Sequence, residues 1–127
     1  MREIIQTKNA PAAIGAYSQA IKANGFVFTA GQGGLDPVTG KLVEGGVVAH
    51  TEQTQKNHAA ILKAAGTSLR HAVKATVFLT DINHFTAMNK VYQEWVKDSP
   101  PARSTVAVKE LPLGALVEIE MVAVIPE

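Results

Sequence analysis

The chain has 127 residues, of which 46% are hydrophobic and 18% charged, and its formal net charge at pH 7 is +1. This length predicts one domain, residues 1–127, with a substantial core, and the near-neutral charge argues against a dedicated surface for nucleic acid or a membrane. Because cysteine is absent, disulfides, thiolate nucleophiles and cysteine-ligated metals are excluded. The opening residues lack an apolar segment typical of a signal peptide, and we expect a soluble cytoplasmic protein.

The first half of the chain is predicted to contain two strands followed by a helix. REIIQT, residues 2–7, is a short strand candidate, and FVFTAG (Phe26–Gly31) is a stronger one because of its aromatic and β-branched residues. The stretch GQGGLDPVTGKL is rich in turn residues and is interpreted as a loop. Apolar residues at helical spacing then predict a helix from Val47 to Ala65.

The second half adds a strand, a second helix and two final strands. AVKATVFLT is the strand, and Asp81 or Asn83 is the candidate cap of a helix that ends near Lys97. One polar residue, Asn89, interrupts the apolar stripe of this helix. After two prolines, STVAV and ALVEIEMVAVI form strands joined by KELPLG. This order predicts an α+β fold, a mixed sheet with two main helices packed on one face.

Apolar residues on both faces of this sheet predict self-association. In the last strand, alternate residues from Ala115 to Ile125 are all apolar, and the intervening ones combine Glu118 and Glu120 with leucine and valine. Two helices cover only one face, and the other face is too apolar to remain in water. Since no segment remains to cover it, we expect a homo-oligomer.

A single arginine, Arg103, follows the two prolines at the start of a predicted strand. It fits an ion pair with Glu118 or Glu120 if the last two strands form a hairpin, a clamp for a substrate anion, or an exposed charge. Structural ion pairs are frequent but contribute little stability. A stiff proline approach and a planar guanidinium suit recognition of a carboxylate. The residues alone leave these alternatives open.

Motifs for metal binding and nucleophilic catalysis are absent from the sequence. The histidines form no HxH or HExxH arrangement, so no metal site is expected, and no serine lies in a GxSxG elbow. His58 is interpreted as a packed helix residue. Asn89 is either a buried amide with satisfied hydrogen bonds or a group that lines a pocket.

Six segments together resemble the Rid family of 2-imino acid and enamine deaminases, in its RidA-like branch: APAAIGAYSQAI, FTAGQGGLDPVTGKL, ILKAAGTSL, VKATVFLTDINHF, MNKVYQEW and PPARSTVAVKELPLGALVEIE. The resemblance covers nearly the whole chain. It implies a chorismate-mutase-like fold assembled as a homotrimer, with active sites in clefts between subunits. It also implies hydrolysis of 2-imino acids and enamines, which pyridoxal-phosphate dehydratases release, to 2-keto acids and ammonia without a metal or cofactor.

The resemblance also assigns roles to single residues. Arg103 matches the arginine that binds the substrate carboxylate, and Glu118 matches the glutamate that positions a water. The remaining matches are substrate-pocket positions: Tyr17, Ala30, Gly31, Asn89 and Thr105. The chain departs from the family pattern at four positions: Ala16 for proline, Ala30 for serine, His50 for glutamine and Thr105 for cysteine.

Under this hypothesis Arg103 holds the carboxylate while Glu118 orients or deprotonates the attacking water. Two other functions are considered. One is a non-catalytic protein that binds or senses keto acids and other small carboxylates. The other is a ribonuclease or translation inhibitor, an activity attributed to some relatives, which the near-neutral charge and the lack of paired histidines disfavour.

Overall fold

A computed structural model describes residues 2–127 as an α+β fold with one six-stranded sheet and two α-helices. In chain order the main elements are β1 (Arg2–Ile5), β2 (Ala20–Ala23), β3 (Phe26–Thr29), α1 (Gly46–Ala64), β4 (Ala72–Leu79), α2 (Phe85–Val96), β5 (Ala102–Ala107) and β6 (Val117–Val124). Short 3₁₀ helices occupy Leu69–His71, Ile82–His84 and Pro112–Gly114. The strands are ordered β1-β2-β3-β6-β4-β5 across the sheet.

All of the predicted strands and helices are present, and one strand, β2, was not predicted. Its sequence AIKA is short and carries few β-branched residues, so it gives a weak strand signal. The dipeptide Asn24-Gly25, which follows β2, is a stronger sequence signal. In the structure both residues adopt positive φ and connect β2 to β3. Asn-Gly in a two-residue hairpin turn is typical of this geometry.

The sheet is mixed, and β5 is its outermost strand on one side. β5 pairs in parallel with β4, and β6 pairs antiparallel with both β4 and β3. The hairpin considered for the last two strands is therefore wrong, since β4 lies between them. The reason is that α2 joins β4 to β5 as a βαβ crossover, which places those two strands side by side.

The helices cover one face of the sheet, as predicted. Alternate residues of β6 from Val117 to Ala123 are almost completely buried on that face, and Val27 of β3 joins them. His58 of α1 is fully buried and hydrogen-bonds Thr29 at 3.0 Å, which confirms its interpretation as a packed helix residue. This contact ties α1 to the middle of the sheet.

The opposite face of the sheet is open in the single chain. The large apolar side chains exposed on it include Ile4, Phe26, Phe28 and Val106, which are 38–59% exposed. Polar residues, Glu118 and Glu120 among them, share this face. The open face thus has the apolar composition from which self-association is predicted, since monomeric proteins rarely leave so many large apolar residues together in water.

Candidate functional site

Arg103 lies against one stripe of α2. The side chain extends from β5 on the helix-covered side of the sheet, because Arg103 is registered with the buried residue Ala75 of β4. Its Nη1 donates a 2.7 Å hydrogen bond to Oδ1 of Asn89. Its Cζ is 4.7 Å from the centroid of the Tyr92 ring and 5.4 Å from that of the Phe85 ring. The polar residue in the apolar stripe of α2 is therefore a partner of the arginine.

Two buried hydroxyl groups lie near the arginine, one on α2 and one on β5, the strand that carries Arg103. Tyr92 is only 3% exposed, and burial raises its pKa although the Arg103 charge opposes the rise. Within residues 2–127 its hydroxyl has no hydrogen-bond partner, and neither has the hydroxyl of Thr105. Asn89, Arg103 and Thr105, predicted as pocket residues, thus belong to the same strand and helix pair.

The other predicted residues line a separate pocket of about 290 Å³. Tyr17, Ala30, Gly31 and Glu118 all border it, and much of the remaining lining is apolar. Tyr17 is held by a tight turn, in which its hydroxyl accepts a 3.3 Å hydrogen bond from the backbone N–H of Ile14. Glu118 is thus the acidic group of a small, mostly apolar pocket.

The Glu118 carboxylate packs directly on Gly31. A Cβ placed on Gly31 would come within 2.5 Å of Oε2 of Glu118, so no other residue fits here without moving the carboxylate. Burial, and then the neighbouring charge of Glu120, raise the pKa of Glu118 above its ordinary value. A raised pKa brings a carboxylate closer to the range in which it exchanges protons at neutral pH.

The two groups of residues project from opposite faces of one chain's sheet. Arg103 lies on the helix-covered face, whereas Glu118 is registered with Phe78 on the open face. The β4 strand separates β5 from β6. The alternative of an ion pair between Arg103 and Glu118 or Glu120 of the same chain is therefore wrong, because the sheet lies between the arginine and the two carboxylates.

A larger groove of about 850 Å³ lies beside β1 and the segment that follows it. Tyr17 borders both this groove and the smaller pocket. Lys8 is its one ionisable side chain apart from Tyr17. Among the described residues that line this groove none is an acid or a histidine, and we place the candidate chemistry at Glu118 and Arg103.

Two departures from the family pattern lie at these sites, and two do not. Ala30 borders the Glu118 pocket and Thr105 follows Arg103 on β5. His50 is buried at the start of α1, with its Nε2 at 3.0 Å from the Val43 carbonyl oxygen, so its contacts are structural. Ala16 is exposed in the turn before Tyr17.

The residues that the sequence analysis missed are the two rings beside the arginine. Phe85, Asn89 and Tyr92 are spaced four and three residues apart, which places them on one helix face. That spacing was a usable signal for a shared site. Which strand faces the stripe depends on sheet order and cannot be read from local sequence.

Other kinds of site are not indicated by the part of the chain that the structure describes. From residue 2 to residue 127, no three histidine, aspartate or glutamate side chains come together as a metal-binding group. In the same range, no helix has the length and hydropathy to span a membrane.

Fold and site together define a small α+β protein with a carboxylate-lined pocket on one face and a preformed arginine site on the other. The family model described as Endoribonuclease L-PSP matches residues 7–125, and the chain belongs to this family, which includes the Rid proteins. The resemblance read from the sequence is thereby confirmed.

Relatives of similar length support the assignment. The chain is 51% identical over 123 residues to a RutC family protein of Pyrococcus horikoshii, covering 97% of this chain and 98% of that protein. It is 50% identical over 124 residues to the 2-iminobutanoate/2-iminopropanoate deaminase of Capra hircus, covering 98% and 90%. The crystal structure of Escherichia coli TdcF with bound serine has a TM-score of 0.92 and 38% identity, covering 98% of this chain and 99% of that one.

Proposed function

We propose that this chain hydrolyses 2-imino acids and their enamine tautomers to 2-keto acids and ammonia, in clefts between the subunits of a homotrimer. The observation that carries the proposal is the Arg103 site. Its guanidinium is anchored by the Asn89 amide and two aromatic rings instead of a carboxylate. Relatives with 45–50% identity over 98% of the chain are named 2-iminobutanoate/2-iminopropanoate deaminases.

Arg103 is suited to hold the substrate by its carboxylate. A guanidinium presents donors in a planar fork that matches a carboxylate in a bidentate, charge-assisted pair. Asn89 accepts from Nη1, and within residues 2–127 no acidic side chain pairs with the guanidinium, so its other edge is available to a substrate. Holding the carboxylate fixes the position of the adjacent C=N carbon for attack.

Glu118 is the group in the proposed cleft that handles protons. As general base it takes a proton from water while the water oxygen forms a bond to the carbon of the protonated imine, which gives a neutral carbinolamine. It then returns the proton to nitrogen, the C–N bond breaks as the former water oxygen forms the C=O bond and gives up its remaining proton to the departing ammonia, and a 2-keto acid and ammonium leave. The raised pKa of Glu118 serves both transfers, because one carboxyl group must accept and donate at similar pH.

The two residues must come from different copies of the chain to act on one substrate. Within a chain they project from opposite faces of the sheet, with β4 between their strands. β5 is an edge strand and the open face is apolar, and in the proposed assembly a second copy packs at this edge and brings its Glu118 pocket to the first copy's arginine. This supports a cleft between subunits, and the family resemblance implies that the assembly is a homotrimer.

A protein that only binds or senses keto acids would use the same arginine. Such a protein has no need of a carboxylate with a raised pKa in the adjoining pocket. The two functions differ in one measurable respect, since a sensor binds 2-ketobutanoate without releasing ammonia from the imine.

The family description also names an endoribonuclease, and the structure offers little for that chemistry. The net charge is +1. Of the four histidines, His50 and His58 are buried within α1. RNA binding depends on a concentrated positive surface, and ribonuclease chemistry commonly needs accessible acid and base groups.

The test of the proposal replaces Arg103. A dehydratase that converts threonine supplies 2-iminobutanoate in the assay, and the appearance of 2-ketobutanoate and ammonia is followed. We expect Arg103→Ala to lower kcat/KM by about 10²–10³-fold, the range given by loss of a charge-assisted pair, with the assembly intact. Arg103→Lys should recover only part of the rate, because an ammonium lacks the planar fork.

Arg70→Ala is the matched control, since Arg70 is an exposed arginine in the 3₁₀ helix Leu69–His71. A folded Arg103→Ala protein with the wild-type rate would exclude the carboxylate clamp. Wild-type protein that binds 2-ketobutanoate but does not accelerate its formation would favour the sensor instead.

A further inference from the structure

We infer that Tyr92 and Phe85 are positioning residues, which fix the plane of the Arg103 guanidinium so that one edge of it faces the substrate carboxylate. The inference deepens the proposed function and rests on it. It concerns residues of α2 that contact the arginine.

The three side chains that contact Arg103 form one stripe on α2. Phe85, Asn89 and Tyr92 recur at helical spacing, so all three face the same neighbouring strand. The guanidinium carbon lies 4.7 Å from the Tyr92 ring centroid and 5.4 Å from that of Phe85, within the range of a cation–π contact. The amide between the rings accepts the Nη1 hydrogen.

In this arrangement the aromatic rings and the substrate carboxylate contact different parts of the guanidinium. Aromatic rings attract the cation through their π faces and carry no charge that would compete with an anionic ligand. Carboxylates bind in the plane of the fork, at its N–H edges. The two ring contacts therefore restrict the rotation of a flexible side chain while they take up none of its N–H donors, which lowers the entropy lost on binding.

The state of Tyr92 suits this role. Burial raises the pKa of its phenol, so the ring is neutral at physiological pH. Its hydroxyl is buried without a partner among residues 2–127, and an unpaired buried hydroxyl lowers stability. Phenylalanine would keep the ring beside the guanidinium without that cost, so we assign the contact to the ring and not to the hydroxyl.

The experiment measures the affinity of the proposed product, 2-ketobutanoate, by isothermal titration calorimetry, together with kcat and KM. Tyr92→Leu should weaken binding and raise KM by about 10-fold through loss of the cation–π contact, with a smaller change in kcat. Tyr92→Phe keeps the ring and should recover most of the lost affinity. In an Arg103→Ala background, Tyr92→Leu should have no further effect on binding.

Trp95→Leu is the matched control for packing. Trp95 also lies on α2 and packs against the core, but its ring is not one of those over Arg103. We expect it to lower the melting temperature and leave the affinity for 2-ketobutanoate unchanged. If Tyr92→Leu does not fold, Phe85→Leu, which removes the half-buried ring of the pair, decides the question by the same measurement.

If a folded Tyr92→Leu protein binds 2-ketobutanoate with wild-type affinity, the inference is overturned and the proposed function stands. The same result in Phe85→Leu overturns it when Tyr92→Leu does not fold. Equal losses of affinity in Tyr92→Phe and Tyr92→Leu would also overturn it, because the ring, which Tyr92→Phe retains, would then not be responsible for the effect. A wild-type protein that neither binds 2-ketobutanoate nor produces it from the imine would overturn the proposed function, and this inference with it.

Discussion

Gly31 shows how the absence of one side chain positions a functional group. A Cβ at this residue would lie 2.5–2.9 Å from three atoms of the Glu118 side chain. Gly31 is not among the glycines with positive φ, so the local requirement is for space and not for an unusual backbone conformation. The carboxylate occupies the volume that any larger residue would fill.

Gly31→Ala should therefore reduce activity with little change in stability. The atoms in its way belong to the end of a flexible side chain, which can rotate, but rotation would remove the carboxylate from the water that it is proposed to activate. We expect kcat to fall by about 10–10²-fold, since general base catalysis contributes about 10²–10⁴-fold. Deaminase kinetics and thermal denaturation measure the two effects.

Gly34→Ala provides the contrast. Its Cβ would lie 2.6 Å from Cα of His50, an atom of the α1 backbone that cannot rotate away. This variant should lose stability first, with a clearly lowered melting temperature. A Gly31→Ala protein that retained the wild-type kcat would show that Glu118 need not occupy its present position.

At the scale of elements, α1 is joined to the sheet by a neutral histidine. Nδ1 of His58 is 3.3 Å from the Thr54 carbonyl oxygen, so it carries the ring hydrogen and donates it. Nε2 then accepts from the Thr29 hydroxyl at 3.0 Å. Burial lowers the pKa of His58 from 6.5 to about 4, so the folded protein holds the imidazole uncharged.

This lowered pKa predicts that stability falls on acidification. Between pH 6.5 and about 4 the unfolded chain binds a proton at His58 that the folded chain does not. The free energy of unfolding should thus decrease by about 3 kcal/mol across that window, and be independent of this group above it. Denaturant unfolding of wild type and His58→Gln, at one protein concentration, measures the difference.

His58→Gln removes the titrating ring, so wild type should lose stability relative to this variant as the pH falls. A constant difference between the two proteins from pH 7 to pH 4 would contradict the account. Titration of the His58 ring by NMR gives an independent check, because the imidazole of the folded protein should remain neutral at pH 5.

How much the sequence predicts differs between elements. The bounds of α1 are predicted to within one residue, because its periodicity and the following glycine are local signals. The position of β5 is not predictable in this way, since it depends on the α2 crossover and on pairing with β4. Pairings between distant segments leave no local pattern.

The same distinction applies to the candidate site. Arg103 stands out in the sequence after the two prolines, and the family resemblance assigns roles to Arg103 and Glu118, but their placement on opposite faces follows only from the register of β5 and β6 with β4. The rings of Phe85 and Tyr92 are conspicuous as an apolar stripe, and the identity of their partner on β5 requires the structure.

At the scale of the whole molecule, the proposed function needs two groups of residues that one chain holds on opposite faces of its sheet. The Glu118 pocket belongs to the open, apolar face, and the arginine belongs to the helix-covered face beside the edge strand. Association of copies would bury the exposed apolar residues, and under the proposed function it would also bring the Glu118 pocket of one copy to the arginine of another. Assembly and catalysis are thus expected to depend on the same contact.

Mixing two defective subunits tests this claim most directly. Arg103→Ala and Glu118→Gln chains, each impaired alone, are unfolded together, refolded as mixed assemblies and assayed for deamination. In each cleft the arginine is intact with a probability of about one half, and so, independently, is the glutamate. Both are intact in about a quarter of the clefts, so about a quarter of the wild-type activity should return. Activity no higher than the average of the two parent variants would show that both residues act from the same chain, and would contradict the account.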